Sequence, residues 1–334
     1  MGRRRKGPSW DGVLVVDKPH GPTSHDVVQT VRRAAGQSRV GHTGTLDPAA
    51  TGVLVICLGR ATKLVQFLQA GTKTYRAQLV LGLETTTQDA QGEVVAEHDA
   101  SGVGQARLAE VLASLRGEIE QLPPMVSAVK VDGRRLHEAA RAGEDVEREL
   151  RRVTVHELEL LDFRPGERAE ATLRVTCSAG TYVRTLAHDA GRALGVGGSL
   201  RALRRTANGP FTEAEAHPLD EVVAAGQDRR LAGLTLRPLD AVARALPALE
   251  VDDADLARRL TQGAGLEPRQ RPGPYAVTHR GLLLGIYVDE GARARPQLVW
   301  TRPEELDAAA EHGGRGAGGH GDAAPSPTTR GQDQ

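Results

Sequence analysis

Short apolar runs separated by polar turns predict several strands in the first part of the chain. Continuous runs at 12–19 and 53–59 predict buried strands, and alternating positions at 73–83 predict a half-buried strand. Segments 150–163 and 169–178 alternate on either side of an Arg-Pro-Gly turn and predict a strand pair. Together these segments predict a mixed, mainly antiparallel sheet.

Helical periodicity occupies the segments between these strands. Apolar residues three and four apart predict a helix over 24–35 with Ser24 as its cap, and 105–116 and 181–195 are further helical segments. The basic segment 199–206 also begins at a serine, which is typical of a helix cap. Helices mixed with hairpin-type strands predict an α+β fold rather than a doubly wound sheet.

The chain has 334 residues, more than one ordinary domain requires, and its composition changes along its length. We expect a basic arm at 1–10 and a first domain at 11–240. A small β-domain follows at 247–302, with a short helix at 254–261. From 304 to 334 the composition turns to Ala, Gly, His, Pro and Ser, which predicts a disordered tail.

Composition limits the possible classes of protein. A hydrophobic content of 39% with 26% charged residues is typical of a soluble globular protein, and no stretch approaches the roughly 20 apolar residues that span a bilayer. The basic start has no apolar stretch behind it, so we expect no signal peptide. Cys57 and Cys177 lie in or beside apolar runs, which indicates reduced thiols in a cytoplasmic protein. No zinc spacing or phosphate-binding glycine loop is present, so we expect no metal and no cofactor.

The formal net charge of zero hides a strong asymmetry along the chain. Residues 1–80 hold 12 Lys and Arg against 4 Asp and Glu, whereas 81–120 hold 2 against 8. Residues 181–210 hold 5 basic residues against 1 acidic residue. Two basic blocks could form one surface that attracts a polyanion, or each could be an ordinary solvated face.

Asp47 stands in a loop, VGHTGTLDPAATG (40–52), that is rich in Gly, Thr and Pro. Pro48 restricts Asp47 to an extended backbone, and the small residues around it allow close approach of a ligand. Such a loop suits one fixed carboxylate, although an Asp-Pro pair is also a common turn.

Arg184 falls in the first turn of the predicted helix at 181–195, beside Tyr182. The helix dipole disfavours a cation there, so a buried carboxylate is its natural partner, unless the side chain extends into solvent. His42 and Tyr75 carry flat rings that can stack on a base, although loop hydrogen bonding and strand packing also explain them.

Five segments stand along the chain in the order GVLVVDKPHGPTSHDVV, GHTGTLDPAATGVLVICLGRATK, KTYRAQLVLG, CSAGTYVRTLAHDAG and the LRR of 203–205. In this order they resemble the TruB-type tRNA pseudouridine synthase family over about residues 10–215. The small domain at 248–300 resembles a PUA-type RNA-binding domain, more weakly.

The resemblance implies a pseudouridine synthase-like catalytic domain and an isomerase that converts the T-loop uridine at tRNA position 55. Asp47 would be the catalytic aspartate, and Arg184 would pair with it and keep it ionised. Tyr75 would stack on the uracil after the base has flipped out of the RNA. The reaction needs no cofactor.

The resemblance also implies the residues that surround the flipped nucleotide. His42 would fill the gap that the base leaves in the RNA. Tyr182 and Leu203 would line the uridine pocket, and Lys18 and Pro19 would support its wall. Segment 119–143 is predicted to form a loop, a strand, a turn and a helix. Two of its residues, Val126 and His137, depart from the family pattern, because the family often has Tyr at these positions.

Three other functions stay open on the sequence alone. A non-catalytic RNA-binding or RNA-folding protein explains the charge blocks but not the stiff aspartate loop. A relative that acts with a guide RNA needs partner surfaces that we do not see, and a small-molecule enzyme would be expected to carry a phosphate or metal motif. We therefore expect a monomer that acts on the T-arm of tRNA without a guide RNA or a membrane.

The two basic blocks predict salt-sensitive binding of tRNA. Each phosphate neutralised by Lys or Arg releases a counterion, so affinity should fall steeply between about 50 and 200 mM salt. Filter binding or fluorescence titration of unmodified tRNA measures this slope. A flat dependence would contradict a basic RNA-binding surface.

Overall fold

The computed structural model describes residues 10–124, 130–131, 134–135 and 148–313. Most of the elements predicted over 119–143, with Val126 and His137, lie outside the described residues. The chain divides into two compact units between Leu246 and Pro247. Within the described ranges, no helix is both long enough and apolar enough to cross a bilayer.

The first unit contains the predicted succession of strands and helices. Its α-helices are α1 (Ser24–Ala35), α2 (Val65–Gln69), α3 (Gln105–Ser114), α4 (Val183–Leu194), α5 (Leu219–Gln227) and α6 (Pro238–Ala245). Its strands are β1 (Gly12–Lys18), β2 (Val40–His42), β3 (Thr51–Leu58), β4 (Lys73–Leu81), β5 (Leu83–Thr85), β6 (Val94–Glu97), β7 (Gly117–Gln121), β8 (Lys130–Val131), β9 (Arg134–Arg135), β10 (Arg151–Arg164), β11 (Glu170–Cys177), β12 (Gly198–Asn208), β13 (Phe211–Thr212) and β14 (His217–Pro218).

One large sheet organises this unit, with the described strands in the order β14-β1-β3-β12-β4-β11-β10-β7. The pairs β1–β3, β12–β4, β4–β11, β11–β10 and β10–β7 are antiparallel. Only β12–β3 and β1–β14 are parallel among the pairs along this path. The predicted mixed, mainly antiparallel sheet of an α+β fold is therefore confirmed.

The basic segment at 199–206 is a strand, so the serine that suggested a helix cap was misleading. It lies within β12, which pairs with both β3 and β4 near the middle of the sheet. Leu200 and Arg205 are almost fully buried there. Hydrogen bonds from two neighbouring strands outweigh the weak local preference of a serine for a cap.

The cap of α1 is Thr23, and the prediction of Ser24 is wrong by one residue. Thr23 and Asp26 form a reciprocal capping box at this end of the helix. Ser24 is buried, and its hydroxyl donates to the Leu46 carbonyl at 2.9 Å and accepts from the Leu46 amide at 2.8 Å. The first turn of α1 is thereby fixed to the loop that carries Asp47.

Helix α4 approaches the backbone of β12 closely at Gly191. A methyl group on Gly191 would lie 2.2 Å from both the Gly197 carbonyl carbon and the Gly198 nitrogen. Leu186 and Ala190, on the same helix, belong to the buried core. The helix that bears Arg184 therefore depends on a residue without a side chain.

The second unit is a smaller sheet with its own core. Its strands are β15 (Ala248–Glu250), β16 (Tyr275–His279), β17 (Leu282–Glu290) and β18 (Arg293–Val299), and its helices are α7 (Ala254–Thr261) and α8 (Pro303–Gly313). The predicted helix at 254–261 is confirmed. The prediction of disorder from 304 onward is wrong for the first part of that segment, because α8 forms there. It contains Ala, Glu and Leu residues, which favour a helix, and Leu306 packs in the core of the unit.

We expect Gly191→Ala to destabilise the first unit and to reduce any activity that requires Arg184. The added methyl has no space against rigid backbone, and overpacking of this kind costs about 1–3 kcal/mol. Urea unfolding followed by circular dichroism measures the loss. Gly102→Ala is the matched control, because nothing lies within 4 Å of its added methyl. Equal stability of the two variants would contradict the close packing.

Candidate active site

The loop between β2 and β3 holds Asp47 in place through contacts at several points. Leu46 is buried and bonded to Ser24, and the Asp47 carbonyl accepts from the Ala50 amide at 3.1 Å. The Asp47 side chain keeps 40% of its surface accessible, through the opening of a pocket. The loop therefore presents one carboxylate to that pocket from a fixed backbone.

Lys18 holds the same loop from the end of β1. It is fully buried, and its ammonium group donates to the carbonyls of Pro19, Pro48 and Ala50 at 3.0, 3.1 and 2.7 Å. Burial lowers the pKa of Lys18 to about 8, and the charge of Asp47 opposes this shift. Lys18 thus lies behind the aspartate loop, and it is not among the described residues that line the pocket.

Arg184 forms an ion pair with Asp47 at the base of the pocket. Its Nε lies 3.1 Å from Oδ2 of Asp47, and its side chain is only 5% exposed. On the other edge of the guanidinium, Nη1 lies 3.3 Å from Oδ2 of Asp89 and donates to the Thr87 carbonyl at 3.0 Å. One arginine therefore joins two carboxylates, and Asp89 and Thr87 fix the plane that it presents to Asp47.

Sequence reasoning did not find Asp89, which lies in the turn between β5 and β6. Its Oδ1 accepts from the Thr87 hydroxyl at 2.6 Å and from the Gln91 amide at 3.0 Å. These are ordinary bonds for an Asp in a turn, so the pattern TTTQDAQG gave no sign of a second role. Only the fold brings Asp89 to Arg184.

The pocket has a volume of about 320 Å³, within the range of about 300–1,000 Å³ that is usual for ligand sites. Tyr75 is buried at its wall, and burial raises the pKa of this phenol. Tyr182 precedes α4, and its backbone is fixed by two hydrogen bonds to the Gln121 amide group. The structure therefore brings together most of the residues that the sequence suggested. The described residues that line the pocket are Gly44, Thr45, Leu46, Asp47, Gln69, Lys73, Tyr75, Arg151, Ala179, Gly180, Thr181, Tyr182, Val183, Arg184, Leu203 and Arg205.

His42 is not one of these lining residues and lies at the end of β2. Its Nδ1 accepts from the Gly44 amide at 3.2 Å. Burial lowers the pKa of His42, and the positive charge of Arg205 adds to this shift. The imidazole is therefore neutral near pH 7, and a neutral ring stacks on a base without the cost of desolvating a charge.

The ionisation of Asp47 depends on opposing effects. Burial raises the pKa of Asp47 above its ordinary value of 3.8, the Arg184 charge lowers it, the nearby Asp89 raises it and Lys18 lowers it. The net direction is upward, so this carboxyl takes up a proton more readily than one in water. Among the described residues, no group of three or more His, Cys, Asp and Glu is placed to hold a metal ion.

Two family models match adjacent parts of the chain. One is described as TruB family pseudouridylate synthase (N terminal domain) and matches residues 32–183. The other is described as tRNA pseudouridylate synthase B C-terminal domain and matches residues 184–243. The two ranges include Asp47 and Arg184.

Curated relatives named tRNA pseudouridine synthase B match most of the chain. The one from Symbiobacterium thermophilum is 58% identical, over 66% of this chain and 74% of its own length. The one from Thermobifida fusca is 45% identical, over 87% of this chain and 99% of its own length. The similarity therefore extends beyond the segments that first suggested it.

Solved structures share the fold. A chain of a Cbf5-Nop10-Gar1 complex has a TM-score of 0.68 at 27% identity, covering 88% of this chain and 86% of that one. A chain of an H/ACA RNP bound to a substrate RNA containing 2'-deoxyuridine has a TM-score of 0.67 at 26% identity, covering 88% and 87%.

We expect the pKa of Asp47 to lie above 3.8 and to rise further in Arg184→Gln. This variant removes the positive charge that stabilises the carboxylate and leaves the negative charge of Asp89 nearby, so ionisation requires a higher pH. Carbon-13 NMR of labelled aspartates measures the shift, with Asp47→Asn to assign the signal. Arg192→Gln, at the exposed end of the same helix, is the matched control. An unchanged or lower pKa in Arg184→Gln would contradict the pairing.

Proposed function

The chain belongs to the TruB family of tRNA pseudouridine synthases, and we propose that it isomerises the T-loop uridine at tRNA position 55 through Asp47. The ion pair between Asp47 and Arg184, at 3.1 Å inside the pocket, is the observation that carries the proposal. It supplies a fixed carboxylate beside a buried tyrosine, in a pocket of about 320 Å³.

Asp47 supports the step in which the glycosidic bond breaks. Its carboxylate can attack the anomeric carbon of the sugar, attack the ring, or assist elimination to a glycal. Each route needs the ionised form. Arg184 keeps that form available when the base enters and displaces water, because a neighbouring guanidinium typically lowers a carboxyl pKa by about 1–3 units.

The uridine reaches Asp47 only after it has flipped out of the RNA. Flipping costs a few kcal/mol of lost stacking and pairing, and stacking on Tyr75 offsets part of that cost. Tyr182 and Leu203 also line the pocket. His42 is proposed to fill the gap in the RNA, which its neutral ring and its place outside the pocket wall support.

The proposed partner is the folded T-arm of tRNA, recognised by its shape and its backbone charge. Exposed Arg151 at the pocket wall and exposed basic residues of 1–80 and 181–210, such as Arg33 and Arg201, would contact phosphates. Residues 247–302 are proposed to act as a PUA-like RNA-binding domain, which their separate sheet and core support. We propose a monomer that works in the cytoplasm and does not use a guide RNA.

Tritium release from ring-labelled uridine in unmodified tRNA tests the proposal. The C5 hydrogen leaves when the carbon–carbon glycosidic bond forms, so wild type should release it at one T-loop position. Asp47→Ala should lower the single-turnover rate by about three orders of magnitude or more, because it removes the reacting group. Asp99→Asn, an exposed aspartate away from the pocket lining, is the control.

Either of two results would overturn parts of this proposal. Release by Asp47→Ala at the wild-type rate would mean that another group does the chemistry. Tight tRNA binding by wild type without release would favour a non-catalytic RNA-binding protein.

A further inference from the structure

Arg205 is a buried cation that the proposed mechanism does not use. It is 1% exposed, in the middle of β12. No carboxylate lies within ion-pair distance of it in the part of the chain that the structure describes. Burying a charge without a counterion costs free energy, so the burial of the Arg205 guanidinium requires a structural or functional explanation.

The guanidinium of Arg205 joins the two ends of the aspartate loop. It donates to the Val53 carbonyl at 2.7 Å, just after the loop, and to the Gly44 carbonyl at 3.1 Å, near the start of the loop. A longer contact, 3.5 Å, reaches the Thr45 carbonyl. In the sheet, Arg205 lies between Gly52 of β3 and Tyr75 of β4.

Gly52 shows how tightly this arrangement is built. Its φ is +98°, and a methyl group on it would lie 2.2 Å from the Arg205 carbonyl oxygen. Glycine alone fits this approach, so the loop and the backbone of Arg205 have one relative position.

Carbonyl groups accept from neutral donors as well as from a charged one, so the loop contacts alone do not require a full positive charge. The charge does reach the pocket, because Arg205 lines it and lies beside the Tyr75 hydroxyl. Lys73, also buried at the wall, donates to the carbonyls of Gln69 and Gly71 and to no other group among the described residues. Asp47 is the single carboxylate among the described lining residues, and Arg184 already pairs with it.

A pocket with surplus positive charge suits a substrate that becomes negative. When the N1–C1′ bond breaks, its electron pair stays on the base. If Asp47 attacks the ring instead, the negative charge moves to a carbonyl oxygen of the base. When the C5–C1′ bond forms, C5 loses its proton and N1 gains one, so atoms and charge balance. Every route therefore places negative charge on the base for part of the reaction.

We propose that Arg205 is a positioning residue for the reaction proposed above. It holds both ends of the aspartate loop, and its fixed charge beside Tyr75 stabilises negative charge as it develops on the base. The inference rests on the proposed isomerisation. It assigns to Arg205 an electrostatic role in addition to its role in holding the loop.

The two roles are separable by comparing uridine with 5-fluorouridine at the target position of tRNA. Fluorine withdraws electrons and stabilises an anionic ring, so the fluorinated base depends less on an external cation. The measurement is the single-turnover rate of N-glycosidic bond loss, followed by nuclease digestion and chromatography. The rate of the wild-type protein on uridine tests the proposed isomerisation alone. A wild-type protein without activity would contradict the proposed function, whereas the variants test the role of Arg205.

Arg205→Gln should slow bond loss about 100-fold for uridine and no more than about tenfold for 5-fluorouridine. Its affinity for tRNA should stay within about threefold of that of wild type. Arg205→Lys keeps the charge and loses the fork that spans the loop, so it should slow both substrates by the same factor. Arg204→Gln is the matched control. Arg204 is the next residue and pairs with Asp17 and Glu213 instead, so its variant should keep the wild-type ratio of rates.

Equal losses on both substrates in Arg205→Gln would overturn the electrostatic role, and wild-type rates would overturn the inference entirely. If Arg205→Gln does not fold by circular dichroism, Arg205→Lys decides. An unchanged ratio of the two rates would then support the proposal, and a tenfold change in that ratio would refute it, because the charge is retained.

Discussion

The site depends on keeping one carboxylate ionised in a place that favours its neutral form. Asp47 loses hydration to the surrounding protein, and burial raises its pKa. Arg184 is the main group that opposes this shift, and it does so from a guanidinium held in one orientation 3.1 Å away. Asp89 on the far side of Arg184 supplies that orientation at the cost of a second negative charge nearby. The balance among these three groups explains why they are fixed by so many other contacts.

The loop that carries Asp47 is held by side chains rather than by regular secondary structure. Ser24 from α1, Lys18 from β1 and Arg205 from β12 all bond to its backbone. Loops usually expose their carbonyl groups to water, and here buried donors replace that water. The loop that carries Asp47 is therefore held in place although it lacks helix or strand hydrogen bonds. A reacting group needs such a fixed position.

Periodicity predicted the elements whose stability comes from a buried apolar face, such as β1, α1 and α4. It gave the wrong structure for β12, because hydrogen bonds from two distant strands decide that conformation. Asp89 resembled a turn residue because it is one, and its second role arises only from the fold. The resemblance of the motifs suggested the pairing of Asp47 with Arg184, but spacing could not show it, since 137 positions separate the two residues. Helix α8 was missed because the composition of 304–334 was judged as a whole, although Ala, Glu and Leu at its start favour a helix and Leu306 packs in the core of the second unit.

The central position of β12 also governs when the pocket can exist during synthesis. β3 and β4 are made early, yet they are not paired with each other, because β12 lies between them. The hydrogen bond from Arg205 to Val53 closes a loop of 152 positions, so the two halves of the sheet are joined late in folding. A nascent chain that has not yet emerged past β12 lacks both the middle of its sheet and a holder of the aspartate loop. Translation must therefore pass Asn208, the last residue of β12, before the pocket can form.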